Sequence, residues 1–357
     1  MRVLYFGTYE RDYPRNAQVI SSLRAAGVEV FERHAGVWEG RRHKWSPGAG
    51  AALRLAGAQA RLLVGRRKRF DVVLVGYPGH LDLPAARWAA RGAPVVFNPL
   101  VSLTETLVED RGRFASGSPA ARLLRAIDRR ALRSADLVVA DTAESARSLA
   151  ALADLPEERL AVCFVGAEER VFAPGWRRPE RFSALFVGKL IPLHGLETIL
   201  SAARLAPEVP FTVVGSGQLE PLLQDRPPNV EHVDWVEYER LPAALHGAGC
   251  ALGIFGTSPK ARRVIPNKAF QALACGTPLV TADTPAAREL LLAGESALLV
   301  PPGDPAALAE AVRRLAADGE LAERISAGGL AAYREHASEE VLGRRWRGLL
   351  ERAVARA

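Results

Sequence analysis

Short runs of β-branched residues alternate with longer helical patterns along the whole chain, and this alternation limits the fold most. The runs in the first half lie near Val3–Phe6, Val28–Phe31, Asp71–Val75, Pro94–Phe97, Asp136–Ala140 and Leu160–Val165. Those in the second half lie near Ala184–Val187, Phe211–Val214, Val230–Val233, Ala251–Ile254, Pro278–Ala282 and Ala297–Val300. Strands that alternate with helices in this way are typical of parallel sheets covered by helices on both faces. We therefore predict an α/β fold with two Rossmann-like domains.

The chain length and one linker-like stretch indicate where the domains divide. A chain of 357 residues suits two domains, because single hydrophobic cores stop growing well below that length. The stretch from Phe172 to Ser183 is rich in Pro and Arg, which is typical of a linker. We predict an N-terminal domain over residues 1–172 and a C-terminal domain over residues 183–340. The amphipathic tail, about residues 341–357, has no strand after it, and we expect it to pack back on the N-terminal domain.

Composition and cysteine spacing exclude several classes of protein. With 48% hydrophobic and 24% charged residues, the composition is that of a soluble globular protein. Cys163, Cys250 and Cys275 lie far apart, which argues against a disulfide framework and against a structural zinc site. The chain shows no apolar signal segment and no run of about 18 apolar residues, so we expect neither export nor a membrane span. A cytoplasmic location is the simplest expectation.

Positive charge is concentrated in one segment. The net charge is +7, but Arg41 to Phe70 holds nine Arg and Lys residues and no Asp or Glu. Trp45 and several leucines accompany these cations, a combination that suits the anionic inner face of a membrane or an anionic lipid-linked acceptor. A solvated helix face explains the charge almost equally well. Nucleic acid fits less well, because no recognition module accompanies the cations.

Candidate site residues in the first half follow predicted strands, where ligands of open α/β sheets bind. Gly7 directly follows the first strand and, with Thr8, begins a loop in which a missing side chain lets backbone approach a phosphate or a sugar. An ordinary tight turn explains Gly7 equally well. His80 and Asp110 are candidate residues on the acceptor side, and a structural role fits each of them as well.

Two loops of the second half carry candidate donor-site residues. Gly188 and Lys189 follow its first strand, and His194 comes five residues later, so that Lys189 and a protonated His194 would both face a diphosphate. A solvated loop histidine is the alternative for His194. Gly215 and Gly217 follow the next strand without the third glycine of a dinucleotide fingerprint, which argues against a dehydrogenase. A turn bordering a nucleotide base and a plain turn both fit these two glycines.

A third element of the second half is the helix predicted within "RRVIPNKAFQALACGTPLV". Pro266 suits the first turn of a helix, Lys268 lies in that turn, and Gly276 ends the helix. A helix N-terminus offers unpaired N–H groups, and with a lysine beside them it suits a phosphate group. The apolar residues of the same helix, such as Phe270 and Leu273, belong to the core whatever the ligand.

The second half, from Leu185 to about Pro302, resembles the donor domain of the retaining GT-B glycosyltransferases of family 4, the glycosyl transferases group 1. The matching segments keep the family's order and spacing: "FVGKLIPLHGLETILSAA", "FTVVGSGQLE", "FQALACGTPLVTAD", "ARELL" and "LLVPPGDPAALAEAV". The first half resembles the acceptor domain through its Gly7 loop and "DLVVADTAESARSLA". The resemblance implies GT-B architecture, in which two Rossmann-like domains face an interdomain cleft.

The resemblance also implies an activity. The protein would move a sugar from a nucleotide-diphosphate sugar to a glycan, lipid-linked or small-molecule acceptor, with the anomeric configuration retained. No cofactor and no obligatory metal would be needed, and the sequence contains no DxD motif. The basic pair with which the family holds the diphosphate corresponds to Lys189 and His194. We assign these two residues, together with His80, to catalysis.

The chain departs from the family at a motif of two glutamates separated by seven residues. The second glutamate, which binds the ribose in the family, corresponds to Gln271, whose amide still donates to and accepts from hydroxyl groups. The first corresponds to Arg263, which cannot accept a hydrogen bond, so sugar recognition must differ. The segment next to Arg263, normally Glu-Gly-Phe-Gly, is replaced by Pro266, Asn267 and Lys268. Because "ARELL" is kept, we place Glu289 near the donor pocket.

Together these observations predict a metal-independent, retaining hexosyltransferase. The departures at Arg263 and Gln271 leave open a catalytically inactive nucleotide-sugar-binding or regulatory protein with the same fold. A nucleotide-sugar epimerase on the same architecture ranks third, because the carboxylates that such an enzyme uses are not evident in the sequence.

Overall fold

The computed structural model describes residues 1–11, 13–37, 49–64 and 69–357, without the side chains of residues 49–53. The chain divides into two compact units. Unit 1 comprises Met1–Val108, Arg113–Val165 and Glu339–Ala357, and unit 2 comprises Glu109–Gly112 and Gly166–Ser338. The stretch from 166 to 172, which we expected in the N-terminal domain, therefore belongs to unit 2. Residues 41–48 and 65–68 of the basic segment lie outside the described residues.

The described part of the chain contains strands and helices in regular alternation. The strands are β1 (Arg2–Gly7), β2 (Glu29–His34), β3 (Val72–Val75), β4 (Val95–Phe97), β5 (Leu137–Ala140), β6 (Leu160–Val162), β7 (Ala184–Val187), β8 (Phe211–Val214), β9 (Val230–Val233), β10 (Cys250–Leu252), β11 (Leu279–Ala282) and β12 (Leu298–Val300). The helices are α1 (Pro14–Ala25), α2 (Ala49–Leu63), α3 (Leu83–Ala90), α4 (Pro119–Ser134), α5 (Ala143–Ala153), α6 (Leu196–Leu205), α7 (Leu241–Gly247), α8 (Asn267–Cys275), α9 (Pro305–Ala317), α10 (Gly319–His336) and α11 (Glu339–Ala355).

Unit 1 is built on a parallel sheet with the strand order β2-β1-β3-β4-β5-β6. Its central strands are buried on both faces, which explains why their sequences are continuous apolar runs rather than alternating ones. Helix α1 buries Val19, Ile20 and Leu23, and Gly27 follows it with a left-handed φ of 75°. The predicted helix and its glycine stop are therefore confirmed, with an end one residue earlier than expected.

The last helix of the chain, α11, packs on α1 within unit 1. Trp346 is fully buried, and the guanidinium of Arg15 lies 5.5 Å from the centroid of its ring. Gly343 permits the close approach of the two helices, because a Cβ there would clash with the carbonyl oxygen of Ser22. The C-terminal tail thus completes the core of the unit that begins at the N-terminus.

Unit 2 repeats the architecture with a parallel sheet of strand order β12-β11-β10-β7-β8-β9. The strand order reverses between β7 and β10, and ligands of open α/β sheets bind at such a switch point. Helix α8 ends at Gly276, whose φ of 75° and N–H contacts to Ala272 and Leu273 form a left-handed cap. The predicted α/β fold with two parallel sheets is confirmed. No helix in the described ranges is both long enough and apolar enough to cross a bilayer.

Candidate donor site in unit 2

The switch point of unit 2 brings the loop after β7 against the first turn of α8. Gly188 has a φ of 150°, and a Cβ at this position would lie 2.7 Å from Nζ of Lys268. Three residues of this loop, Pro192–His194, form a single 3₁₀ turn, and Gly195 follows with a φ of 69° to begin α6. The fold therefore brings Lys268 to Gly188, Lys189 and His194, from which it is more than 70 residues away in the sequence.

His194 is held in one orientation inside this site. Its Nδ1 hydrogen-bonds the carbonyl oxygen of Lys189, and its ring stands edge-on to Phe186 with the centroids 5.6 Å apart. Burial, with repulsion from Lys268, holds the pKa of His194 well below its ordinary value. At neutral pH the imidazole is therefore uncharged, with Nε2 as an acceptor, because Nδ1 carries the proton given to Lys189. Donation to a diphosphate by a protonated His194, which the sequence suggested, stays a prediction.

Lys268 projects from α8 into the same place. Its Nζ lies 3.6 Å from the centroid of the Phe186 ring and has no hydrogen-bond partner among the described residues. Burial lowers the pKa of this amine well below its ordinary value. A buried lysine without an acceptor is expensive for a fold to keep, which makes it a functional-site candidate.

Further cations surround the pair. Lys189 is exposed at its tip, yet partial burial, with repulsion from Arg111, lowers the pKa of its amine. Lys260 and Arg111 both act electrostatically on His194. Asp110, an acceptor-side candidate from the sequence, belongs to unit 2 with Glu109–Gly112 and lies 3.6 Å from Nε of Arg111. The site is predominantly positive and suits a polyanionic ligand.

Gly215 and Gly217 have a structural explanation of their own. A Cβ at Gly215 would clash with the carbonyl oxygen of Gly188, and one at Gly217 would lie 2.6 Å from the carbonyl oxygen of Leu190. The N–H of Leu190 also donates to the carbonyl of Ser216 at 3.0 Å. These glycines therefore allow the loop after β8 to lie against the loop after β7. A contact with a nucleotide base stays a prediction.

The start of α8 differs in detail from the sequence expectation. Pro266 is the N-cap residue, with a ψ of 150°, and the helix begins at Asn267, so Lys268 is its second residue. No side chain caps this end, and the first-turn N–H of Ala269 donates to the carbonyl of Pro266 at 2.9 Å. Arg263 lies just before it and donates its backbone N–H to the carbonyl of Lys260. Glu289 is half-buried in a 3₁₀ turn tied to this segment through the N–H of Ala286 and the carbonyl of Arg262.

Gln271 is already engaged by protein groups. Its side chain hydrogen-bonds the hydroxyl of Tyr238, which in turn donates to Oε1 of Glu168 at 3.3 Å. Glu168 in turn forms an ion pair with Arg170 at 2.7 Å. Ribose binding by Gln271 stays a prediction, and it requires the amide to share or exchange the Tyr238 contact.

Unit 1 holds the other candidates from the sequence. The N–H of Thr8 donates to Oδ2 of Asp82 at 2.7 Å, and a Cβ at Gly7 would lie 2.5 Å from the same oxygen. Gln59 completes the group by donating to Oδ1 of Asp82 at 2.5 Å. The carboxylate of Asp82 thus binds the loop that we predicted to approach a ligand, and the sequence did not indicate this contact.

His80 is packed inside unit 1. Its Nε2 lies 3.4 Å from Oδ1 of Asp128, and its ring stands edge-on to Phe97. Burial lowers the pKa of His80, and Asp128 opposes that shift. Asp128 also accepts the N–H groups of Leu103 and Thr104, both at 2.9 Å. This geometry fits a histidine that supports the loop after β4, and a catalytic role stays a prediction.

Sequence reasoning missed a second buried polar group in unit 1. Arg15 is fully buried and donates to Oδ1 of Asn98 through Nε at 3.1 Å and Nη2 at 3.0 Å. Asp141 follows β5, and burial raises the pKa of its carboxyl to about 6 despite a bond to Ser145 and the nearby Arg15 charge. Asn98 and Asp141 are the first polar residues after β4 and β5, a position that marks them in the sequence.

No group of three or more His, Cys, Asp or Glu side chains within residues 1–11, 13–37, 49–64 and 69–357 is arranged to hold a metal ion.

Solved structures share this fold. The sucrose-phosphate synthase of Thermosynechococcus elongatus has a TM-score of 0.76 and 16% identity, with 100% of this chain and 99% of that chain covered. Anabaena HepE in complex with UDP-glucose has a TM-score of 0.72 and 16% identity, with 99% and 100% covered. At this identity the likeness concerns the fold, and it confirms the predicted GT-B architecture.

Sequence matches identify the family. Residues 2–166 match the family described as "Glycosyl transferase 4-like domain", and residues 181–318 match "Glycosyl transferases group 1". The chain belongs to this family of glycosyltransferases, as its motifs predicted. A D-inositol 3-phosphate glycosyltransferase of a Nocardioides species is 28% identical, with 92% of this chain and 78% of the relative aligned. A phosphatidyl-myo-inositol mannosyltransferase of Mycobacterium leprae is 34% identical over 43% of this chain and 42% of the relative.

The raised pKa of Asp141 predicts that the stability of the protein depends on pH. The pKa of Asp141 in the fold, about 6, lies above the ordinary 3.8. The carboxyl therefore contributes favourably to the free energy of unfolding below about pH 4, and this contribution is lost as the pH rises through 6. We expect Asp141→Asn to be more stable than the parent protein by about 2–3 kcal/mol near pH 8, with a difference that shrinks towards pH 4. Urea unfolding between these pH values measures it.

The matched control is Glu157→Gln, which removes an exposed carboxyl from the same unit and should change stability by less than about 0.5 kcal/mol at any pH. A stability difference for Asp141→Asn that stays constant with pH would refute the assignment of the carboxyl as a buried, destabilising group.

Proposed function

We propose that the protein is a retaining, metal-independent hexosyltransferase that uses a nucleotide-diphosphate sugar. The observation that carries this proposal is the site of unit 2 where three basic side chains, Lys189, His194 and Lys268, meet at the switch point of the sheet. A diphosphate is the leaving group of such a donor and carries the negative charge that this site lacks.

The chemistry follows from where charge develops. As the bond between the anomeric carbon and the diphosphate breaks, negative charge grows on the leaving oxygen. Fixed cations and helix N–H groups aimed at that charge lower the barrier, because they need no reorganisation during the reaction. Lys189 and the first-turn N–H groups of α8 supply such groups here. Their presence supports independence from a metal, since they take over the charge neutralisation that Mg²⁺ gives other diphosphate sites.

Retention of the anomeric configuration is supported by membership of the family. In this proposal the acceptor hydroxyl attacks from the face that the diphosphate leaves, and no protein carboxylate acts as a covalent nucleophile. Arg263 stands where the family has its first glutamate, so donor-sugar hydroxyl groups would meet a hydrogen-bond donor there rather than an acceptor. The sugar selected should therefore differ from that of relatives with two glutamates.

The names of the relatives support an acceptor class. They specify D-inositol 3-phosphate and phosphatidyl-myo-inositol, which share a phosphorylated cyclic polyol. We include such a polyol, free or lipid-linked, in the proposal. Nothing in the fold or the matches favours the inactive alternative.

The direct test is a panel of UDP-, GDP-, ADP- and dTDP-sugars with glycan, polyol phosphate and lipid-linked acceptors. We expect acceptor-dependent release of one nucleoside diphosphate in the presence of a metal chelator, and a product with the anomeric configuration of the donor. Binding of a nucleotide without hydrolysis or transfer across the whole panel would favour the binding-protein alternative.

Lys189→Met tests the diphosphate contact itself. A charged hydrogen bond contributes roughly 1.5–3 kcal/mol, so we expect the nucleoside diphosphate to bind about 10- to 100-fold more weakly. Calorimetric titration measures the affinity. Arg324→Met, which removes an exposed cation from α10 of the same unit, is the control and should leave the affinity unchanged. Equal affinity of Lys189→Met and the parent protein would refute a contact between Lys189 and the diphosphate.

We further propose a peripheral position at the cytoplasmic face of an anionic membrane. Within the described part of the basic segment, α2 and the residues after it expose Arg54, Arg61 and Arg69. Leu63 and Val64 are also exposed, with 84% of Val64 accessible. Cations beside exposed apolar side chains fit the boundary between lipid headgroups and acyl chains.

Co-sedimentation with vesicles tests the membrane proposal. We expect binding to vesicles rich in phosphatidylglycerol but not to phosphatidylcholine vesicles. Replacement of Arg66, Arg67, Lys68 and Arg69 by Gln should weaken binding at least tenfold, since each cation near the surface contributes about 1 kcal/mol. A variant with four exposed arginines of other helices replaced, Arg324, Arg334, Arg344 and Arg352, is the control. Equal sedimentation of the two variants would contradict the proposal.

A further inference from the structure

The loop after β7 has two predicted diphosphate-binding positions, and only one of them carries a positive charge. Of its two diphosphate-binding positions, Lys189 is a cation, but His194 is neutral in the ligand-free site. Its Nδ1 is committed to the carbonyl of Lys189, and its Nε2 lacks a proton at neutral pH. A diphosphate oxygen beside Nε2 would meet a lone pair, so this position cannot bind the anion without a change of protonation.

Lys268 lies beside His194, the position without a positive charge. The missing side chain of Gly188 leaves room for its amine, which lies against the Phe186 ring and close to His194. When protonated, this amine can donate three hydrogen bonds, and it makes none to the described residues. The first turn of α8 therefore carries a buried amine that has no hydrogen-bond partner among the described residues.

The surroundings decide whether that amine is charged. The titratable and charged groups of the site are His194, which lies close to this amine, Lys189 from the same loop after β7, Lys260 from the loop before α8, and Arg111 from the segment Glu109–Gly112. Asp110 faces Lys260 and Arg111 rather than Lys268. The Phe186 ring favours the ammonium form of Lys268, whereas desolvation disfavours it. Burial therefore lowers the pKa of the Lys268 amine, and a bound anion would raise it again.

We propose that Lys268 supplies the second positive charge of the diphosphate site, in place of residue 194, and that its amine takes up a proton when the diphosphate binds. This inference rests on the proposed function and adds to it the residue that neutralises the leaving group.

The proton balance is simple. One proton passes from solvent to Nζ of Lys268 as the anion enters, and it returns to solvent when the nucleoside diphosphate leaves. No covalent bond to the protein forms. Because the charge appears only with the ligand, the ligand-free site avoids holding an unpaired ammonium away from water.

The test is calorimetric titration of UDP, GDP, ADP and dTDP in Tris and in HEPES near pH 8. At this pH the terminal phosphate is already ionised, since its second pKa lies near 6, so any proton bound is taken up by the protein. The difference in binding enthalpy between the two buffers gives the number of protons. We expect close to one proton for the parent protein with the nucleotide that binds.

Three variants locate the proton. Lys268→Met should bind about 10- to 100-fold more weakly and take up none, because the amine is gone. Lys268→Arg should keep most of the affinity and also take up none, because a guanidinium is always charged. His194→Gln should still take up a proton. Circular dichroism shows whether each variant remains folded.

Several results would overturn the inference. Equal binding enthalpies of the parent protein in the two buffers would show that no proton is taken up. Proton uptake that persists in Lys268→Met but disappears in His194→Gln would place the proton on the imidazole instead. Absence of binding by all four nucleotides would count against the proposed function as well, whereas binding without proton uptake would contradict this inference alone.

Discussion

The donor site of unit 2 depends on a close approach between the loop after β7 and the first turn of α8. A side chain at Gly188 would be strained by its φ of 150°, and its Cβ would lie 2.7 Å from the amine of Lys268. The loop after β8 packs on the same place, where Gly215 meets the carbonyl of Gly188. Three segments that are distant in sequence thus share one small volume at the switch point of the sheet. Everything proposed about anion binding follows from this packing.

The chemistry of that volume is one of cations rather than carboxylates. Where the family has two glutamates, this chain has Arg263 and Gln271, and Gln271 is held by Tyr238. Lys268 adds an amine at the helix start, and Lys260 and Arg111 extend the positive surroundings. In the proposed site, the same segment would provide fewer acceptors to the sugar and more donors to the diphosphate. A site of this kind keeps its hold on the leaving group while its preference for the sugar changes.

Periodicity predicted the fold well, because strand and helix spacing is a local property. The β-branched runs became the strands of two parallel sheets, and Gly27 and Gly276 ended their helices as expected. Contacts between distant residues escaped prediction. Nothing in "FGTYERDYPRN" shows that Thr8 would bind Asp82, and nothing near His194 shows that its Nδ1 would bind the carbonyl of Lys189. Pro266 was misplaced by one position because first-turn and N-cap prolines share the same φ.

The central claim is that a nucleoside diphosphate binds between the loop after β7 and the start of α8. Hydrogen exchange with and without the nucleotide that binds measures this directly. The account predicts slower exchange in two stretches that are separate in sequence, residues 186–195 and 262–271, with little change in α9 and α10 of the same unit. Protection confined to unit 1, or to the pocket of unit 2 around Gln224 and Arg226 without these stretches, would contradict it.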